Sequence, residues 1–263
     1  MKVVHNIRPG EDPINFLGFE ELAEEGLGTD CIFFYAGEPH PSVTMPSDKK
    51  KVFFTTEEQA WDKDTTDNCL EHVDKILTIC PPEITGRSKR EYVFFPFNEK
   101  YIPQPVEKEF DAIYCGAATG PHVEEILRSI SKYNYRFVSF SQNSLVTDKG
   151  VGYLKKLELI AKSKVFPIHN LTGSGTPQIK TRPFEAAFSK TLILCKKDSW
   201  NIIEKWFEPK KEFLYYSSES ELVELLNTSI KNYDQYQDII NAAYEKAINS
   251  YTTRHFIKRY LDE

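Results

Sequence analysis

The sequence predicts an α/β fold with a mostly parallel sheet, and three observations carry the prediction. Short apolar runs bounded by turn residues alternate with helical patterns along the whole chain. Forty per cent of residues are hydrophobic and 13% aromatic, enough for a packed core and too much for a disordered chain. A Pro- and charge-rich stretch near the middle divides the pattern, as a linker between two units does.

Taken in order, Met1 to His5 reads as a first strand and Phe16 to Glu25 as a helix stopped by Gly26 and Gly28. CIFFYA (31–36) and KVFFTT (51–56) read as strands, as do Val73 to Cys80 and Glu91 to Phe97, the last two separated by the polar stretch PPEITGRSKR. YIPQPVEKEF (101–110) has linker composition. Beyond it come a strand at 111–116, a Gly/Ala-rich turn, a helix from His122 to Lys132 and the strand RFVSFS (136–141). A helix from Tyr153 to Lys162, the strand KVFPIHN (164–170), the loop GSGTP, a short helix from Pro183 to Ser189 and the strand TLILC (191–195) follow. Ser218 and Glu221 fit a capping box, and one long helix is expected from Tyr233 to about Tyr260. The domains are expected at 1–105 and 106–263.

With a net charge of −6 and no basic block, a nucleic-acid partner is not expected. The five cysteines are scattered, without metal-site spacing, and read as reduced thiols. No run reaches membrane-spanning length and no leader pattern opens the chain, so a cytoplasmic protein without an integral membrane segment is expected.

The most informative segment runs from Gln178 to Leu226. An Arg-x-Phe-Glu-Ala-Ala helix (Arg182, Phe184, Glu185) leads into an apolar strand, a Phe-Glu-Pro-x-x-Glu turn, an aromatic strand and an acidic helix start. This order resembles the C-terminal domain of group-1-like GT-B glycosyltransferases, in particular their CgeB-like branch, and the closing Tyr-Thr-Thr-Arg-His-Phe is similar to that family's terminal helix. The resemblance covers Asp111 to Glu263. It implies two Rossmann-like domains facing a cleft, here with a reduced N-terminal domain and a long C-terminal helix. It implies transfer of a hexosyl or pentosyl group from a nucleotide-diphosphate sugar, most often UDP-linked, to a glycan or other hydroxyl acceptor. No cofactor and no metal are expected. The chain departs from the family in two places. Ser189-Lys190 stands where a glycine is usual, and Pro177 stands where the better-known group has a second glutamate.

The chemistry of each residue type fits. A carboxylate at Glu185 accepts from ribose hydroxyls. Arg182 offers a cationic fork, and the helix start its dipole, to a diphosphate. Phe184 belongs to the same motif. Gly173 and Gly175 would let backbone amides approach a phosphate, the turn at Gly116 resembles the family's first phosphate-facing loop, and the strand end at Ser139 is where the base is expected. Plain alternatives stand beside these readings: Arg182 and Glu185 as a surface pair three apart, the glycines as ordinary turns, His122 and His169 as ordinary polar residues. Asp62-Lys63-Asp64 reads as a solvated charge cluster. A general base, if the enzyme inverts, is expected from the N-terminal half, at Glu57 first and Asp12 next. Two other functions share this frame: a nucleotide-sugar epimerase or hydrolase, and a non-catalytic nucleotide-sugar-binding protein.

Overall fold

The structure, a computed structural model, describes residues 2–5, 32–37, 50–55, 70–87, 89–173 and 175–261. They form two parallel sheets. The first takes β1 (Lys2–His5), β2 (Ile32–Gly37), β3 (Lys50–Thr55), β4 (Lys75–Thr78) and β5 (Arg90–Tyr92) in chain order. The central strand β3 buries four successive residues, Val52 to Thr55, as a parallel strand covered on both faces must. β5 is shorter than the expected Glu91 to Phe97. Residues 93–97 leave the sheet and cross to the other unit, where Phe97 bridges to Thr252. The polar stretch after β4 contains a one-turn helix, α1 (Pro82–Thr85), closed by Gly86 in the left-handed region. The helix expected at Phe16 to Glu25 lies outside the described residues.

The second sheet takes β6 (Phe110–Cys115), β7 (Tyr135–Ser139), β8 (Asp148–Lys149), β9 (Ser163–Ile168), β10 (Leu192–Lys196) and β11 (Leu214–Tyr216), in the order β11-β10-β9-β6-β7-β8. The connecting helices include α2 (Pro121–Ile130), α3 (Tyr153–Ala161), α4 (Arg182–Phe188) and α5 (Glu219–Lys231). α2 buries Val123, Ile126, Leu127 and Ile130, the i, i+3, i+4, i+7 stripe of an amphipathic helix. α5 starts at the expected cap: Ser218 Oγ accepts from the Glu221 amide at 3.2 Å. The Glu221 carboxylate reaches back one residue further than a standard box, to the Ser217 amide at 2.6 Å. The linker enters this sheet through Lys108, whose ammonium donates to the carbonyls of Ala161 (2.6 Å) and Lys190 (2.8 Å).

The expected single C-terminal helix is broken. A 3₁₀ turn at Tyr233–Tyr236 leads into α6 (Gln237–Ser250), and α7 (Thr253–Tyr260) follows after Tyr251 and Thr252. Thr252 is extended and pairs with Phe97. The Phe97 amide donates to Tyr251 O at 3.2 Å, and the Thr253 amide donates to Phe97 O at 3.0 Å. These tertiary bonds replace one turn of helix and send α7 onto the first sheet.

An aromatic cluster joins the two units. The buried Phe94 ring lies 5.1 to 6.2 Å, centroid to centroid, from Phe184, Trp206, Tyr251, Phe256 and Tyr260. Phe256 reaches Phe54 of β3 at 5.9 Å, and Phe97 stacks on Phe188 at 4.1 Å. Removing a ring so enclosed forfeits its burial and leaves a cavity. Phe94→Ala is expected to cost about 3–5 kcal/mol, read as a lower urea midpoint with both units still unfolding in one transition.

Candidate functional site

In an open parallel sheet, ligands bind beyond the carboxyl ends of strands, where the strand order reverses. Here the chain runs outward from β6 through β7 to β8 and then returns to the other side of β6 with β9. The reversal lies between β6 and β9. Two adjoining cavities occupy this end of the sheet. One, of about 520 Å³, lies over the ends of β6 and β7 and is walled by α3 and α4. The other, of about 460 Å³, lies between the β6–α2 turn and the loop after β9. Ala117, Lys180 and Arg182 line both, so the two form one bipartite cleft.

Helix α4 supplies its central groups, and all seven of its residues are buried. Glu185, 1% exposed, accepts at Oε1 from Lys156 Nζ (2.9 Å) and from the Tyr153 hydroxyl (3.2 Å). Burial, and next the charge of Glu185, push the Tyr153 phenol well above its ordinary range, so Tyr153 stays a donor. Lys156 also sits 4.2 Å from the Tyr153 ring centroid. The second carboxylate oxygen, Oε2, is buried and has no hydrogen-bond partner. Buried carboxylate oxygens are seldom left so, and this one stands on a residue that lines the larger cavity.

Arg182 lies on the wall between the cavities. Its Nη1 donates to the Tyr114 hydroxyl at 2.7 Å, and its guanidinium carbon is 5.3 Å from the Tyr114 ring centroid. The same hydroxyl lies 3.3 Å from His169 Nε2. Gly116 ends β6 beside this group with φ +142°, a conformation that a side chain would strain. His169 is buried among Arg182, Lys180 and His122. Desolvation first, and next the charges of Arg182 and Lys180, pull its imidazole down to about 2, so it is neutral across the physiological range.

Of the expected site residues, Gly116, Ser139, Arg182 and Glu185 line the larger cavity, and Gly173, Gly175 and Arg182 line the smaller. Phe184 does not join them. It is 1% exposed and faces the aromatic cluster, with Trp206, Phe207 and Tyr251 within 6.3 Å. A helix that turns Arg182 and Glu185 to the cleft turns Phe184 away from it. Arg182 and Glu185 are not a surface pair, because both are buried. Nor is His169 an ordinary polar residue. Glu57, Asp12 and Asp62-Lys63-Asp64 lie outside the described residues. Sequence reasoning missed Lys156, Tyr114 and Phe140. Phe140 was legible in part: it follows the buried pair Phe137-Val138 yet is 75% exposed at the cavity rim, its ring 3.7 Å from where a Cβ on Gly150 would stand.

Two parallel α/β units, with a cleft at the strand ends of the second, have the arrangement of GT-B glycosyltransferases. The sequence profile of a family described as glycosyl transferase-like matches residues 122–262. That is more than half of the chain, and the chain belongs to this family. Solved structures share the fold at low identity. HepE of Anabaena, in complex with UDP-glucose, superposes with a TM-score of 0.61 at 8% identity, over 87% of this chain and 77% of that one. Sucrose-phosphate synthase from Thermosynechococcus elongatus gives 0.62 at 10% identity, over 92% and 75%. TarM gives 0.62 at 10% identity over 88% of this chain, which spans only 54% of TarM. No curated protein matches by sequence. Among the described residues no helix is long and apolar enough to cross a membrane.

The neutral, buried His169 has a consequence for stability. Its folded pKa of about 2 lies below the ordinary 6.5, so the unfolded chain binds more protons between these values. Its contribution is present in full above about pH 6.5 and is lost progressively as pH falls toward about 2. In thermal melts from neutral to acid pH, His169→Gln is expected to flatten the part of the decline that begins near pH 6.5.

Proposed function

We propose that this glycosyltransferase binds a UDP-linked sugar in the bipartite cleft and transfers the sugar, without a metal ion, to an acceptor hydroxyl. The buried, unpartnered Oε2 of Glu185 is the observation that carries the reading. A ribose hydroxyl supplies the donor it lacks. Oε1, already taken by Lys156 and Tyr153, is the less available acceptor for the second hydroxyl.

The electrostatics support the same ligand. Among the described residues that line the larger cavity, Lys156, Lys180 and Arg182 are basic, a lining that suits the two negative charges of a diphosphate diester. Placed on the wall between the cavities, the diphosphate puts the nucleoside in the larger and the sugar in the smaller. Arg182 and Lys180 then stabilise the charge that grows on the leaving diphosphate as the glycosidic bond breaks, the task a metal performs in other enzymes. The base lies between the β7 end at Ser139 and the exposed Phe140 ring, which offers it a stacking face. Uracil is favoured because HepE and the β-glucosyltransferase of T4 phage, which shares this fold at a TM-score of 0.53 and 13% identity over 83% of this chain and 69% of that one, were both solved with UDP-glucose.

The donor-binding domain is taken as 106–263 and the acceptor side as 1–105, with Glu57 or Asp12 removing the acceptor proton in an inverting reaction. The Arg182–Glu185 motif supports the CgeB-like branch within the family.

Calorimetry with UDP, GDP, ADP and CMP, with and without EDTA, tests the proposal. UDP is expected to bind saturably, with no change on adding EDTA. Glu185→Ala is expected to weaken it by roughly 10- to 100-fold, the worth of one or two hydrogen bonds to a charged group. Phe140→Ala is expected to weaken it roughly tenfold through lost stacking. No binding by any nucleotide would remove the donor site. Binding and sugar release that proceed equally without an acceptor would replace the transferase with a hydrolase.

A further inference from the structure

We infer that Tyr114 and His169 form a positioning relay that holds the Arg182 guanidinium toward the diphosphate and away from Glu185. The inference rests on the donor reading above. It concerns two residues that line the smaller cavity, so the test uses a ligand without the sugar.

The need for such a relay follows from the spacing of α4. Arg182 and Glu185 are three residues apart on one helix, the separation at which opposite charges pair. Both are buried, where an arginine beside an unpartnered carboxylate oxygen is drawn to it strongly. Such a pair would occupy Oε2, the group left for the ribose, and would turn the fork from the diphosphate. The structure does not contain it: the carboxylate pairs with Lys156, and Arg182 Nη1 points to Tyr114.

The direction of the relay follows from proton bookkeeping. A guanidinium has donors only, so the Tyr114 oxygen accepts from Arg182. The phenol keeps one hydrogen to give, and His169 Nε2 lies 3.3 Å away. Nε2 accepts it if the imidazole is neutral with its proton on Nδ1. The groups that face His169 are Tyr114 on β6, His122 on α2, Lys180 in the loop before α4 and Arg182 on α4. None is a carboxylate; the backbone at Leu171 alone favours a second proton on the ring, and desolvation outweighs it. A charged His169 would aim a hydrogen at the oxygen that Arg182 already uses, and would strand the phenol hydrogen. A neutral one completes the line from Arg182 through Tyr114 to His169, which fixes Nη1 and leaves the remaining N–H groups of the fork to the ligand.

The relay is tested with Tyr114→Phe, His169→Leu and His169→Gln, each first checked for an unchanged melting temperature or a small shift. UDP binding is measured by calorimetry and uridine binding by competition, because the two differ by the diphosphate and neither carries the sugar. Tyr114→Phe and His169→Leu are expected to weaken UDP roughly tenfold, the loss of one charge-assisted bond's worth of ordering, and to leave uridine unchanged. His169→Gln, which keeps an acceptor near Nε2, is expected to recover most of the loss. Nitrogen NMR of the ligand-free protein is expected to show His169 protonated on Nδ1 alone throughout the range from about pH 8 to pH 5. Equal losses for uridine and UDP, unaltered UDP binding in Tyr114→Phe, or a proton on Nε2 would each overturn the relay. A wild-type protein that binds uridine nucleotides while Tyr114→Phe binds them equally well defeats the relay alone. A wild type that binds none defeats the donor reading and the relay with it.

Discussion

Helix α4 is the constraint on which the rest of the structure depends. Seven residues make fewer than two turns, and such a segment has no helical stability of its own. Every one of its side chains is buried, so its tertiary surroundings decide whether it forms. One face needs partners for a carboxylate and a guanidinium in a low-dielectric setting. The other needs apolar cover for Phe184 and Phe188. The second sheet meets the first need through Tyr114, Tyr153 and Lys156, and the aromatic cluster shared with the first sheet meets the second. The helix end shows the same dependence. Lys190 adopts φ +49° where the related pattern has glycine, a strain offset by its backbone bonds to Ala187 and Lys108 and by its ammonium over Tyr244.

The charges of the cleft are arranged so that burial is tolerable before a ligand arrives. An isolated buried Glu185 would lose far more hydration than one hydrogen bond returns. Lys156 and Tyr153 compensate one oxygen and hold the side chain in place, leaving the other unsatisfied. That residual cost lies where a bound hydroxyl can remove it. Glu185 is therefore held at Oε1 and left open at Oε2, the asymmetry on which the proposed donor site rests.

How much of this was legible in the sequence depended on whether the partners are neighbours in the chain. Arg182 and Glu185 sit in one contiguous motif, and their spacing alone puts them on one helix. The strand pattern of both units was readable because buried parallel strands are continuous apolar runs. Tyr114, Lys156 and His169 come from β6, α3 and the loop after β9, and only the reversal of strand order brings them to one place. No local signal marks them. The break at Tyr251 and Thr252 was hidden for a similar reason. The helical pattern continues through it, and the bonds that win come from Phe97, more than a hundred residues earlier. Phe184 shows the opposite failure. The motif that named it was right about the helix, but a motif does not say which way each of its side chains faces.

The two faces of α4 also tie the cleft to the interdomain contact. With its residues enclosed on all sides and its last turn held by bonds from Ser189, Lys190 and Thr191, the helix moves as one piece or not at all. A shift of Arg182 and Glu185 toward a ligand carries Phe184 and Phe188 with it. Phe188 is stacked on Phe97, whose backbone pairs with Thr252 between α6 and α7, and Phe184 lies among Phe94, Trp206 and Tyr251. The Ile179 amide, three residues before α4, donates at 2.9 Å to Ile79 beyond the end of β4, a second link from the approach to Arg182 into the first unit. Packed rings have a few discrete arrangements and resist continuous deformation. A displacement of α4 therefore either is refused by the cluster, and neither changes, or repacks it, and then the cleft and the relation of the two sheets change together.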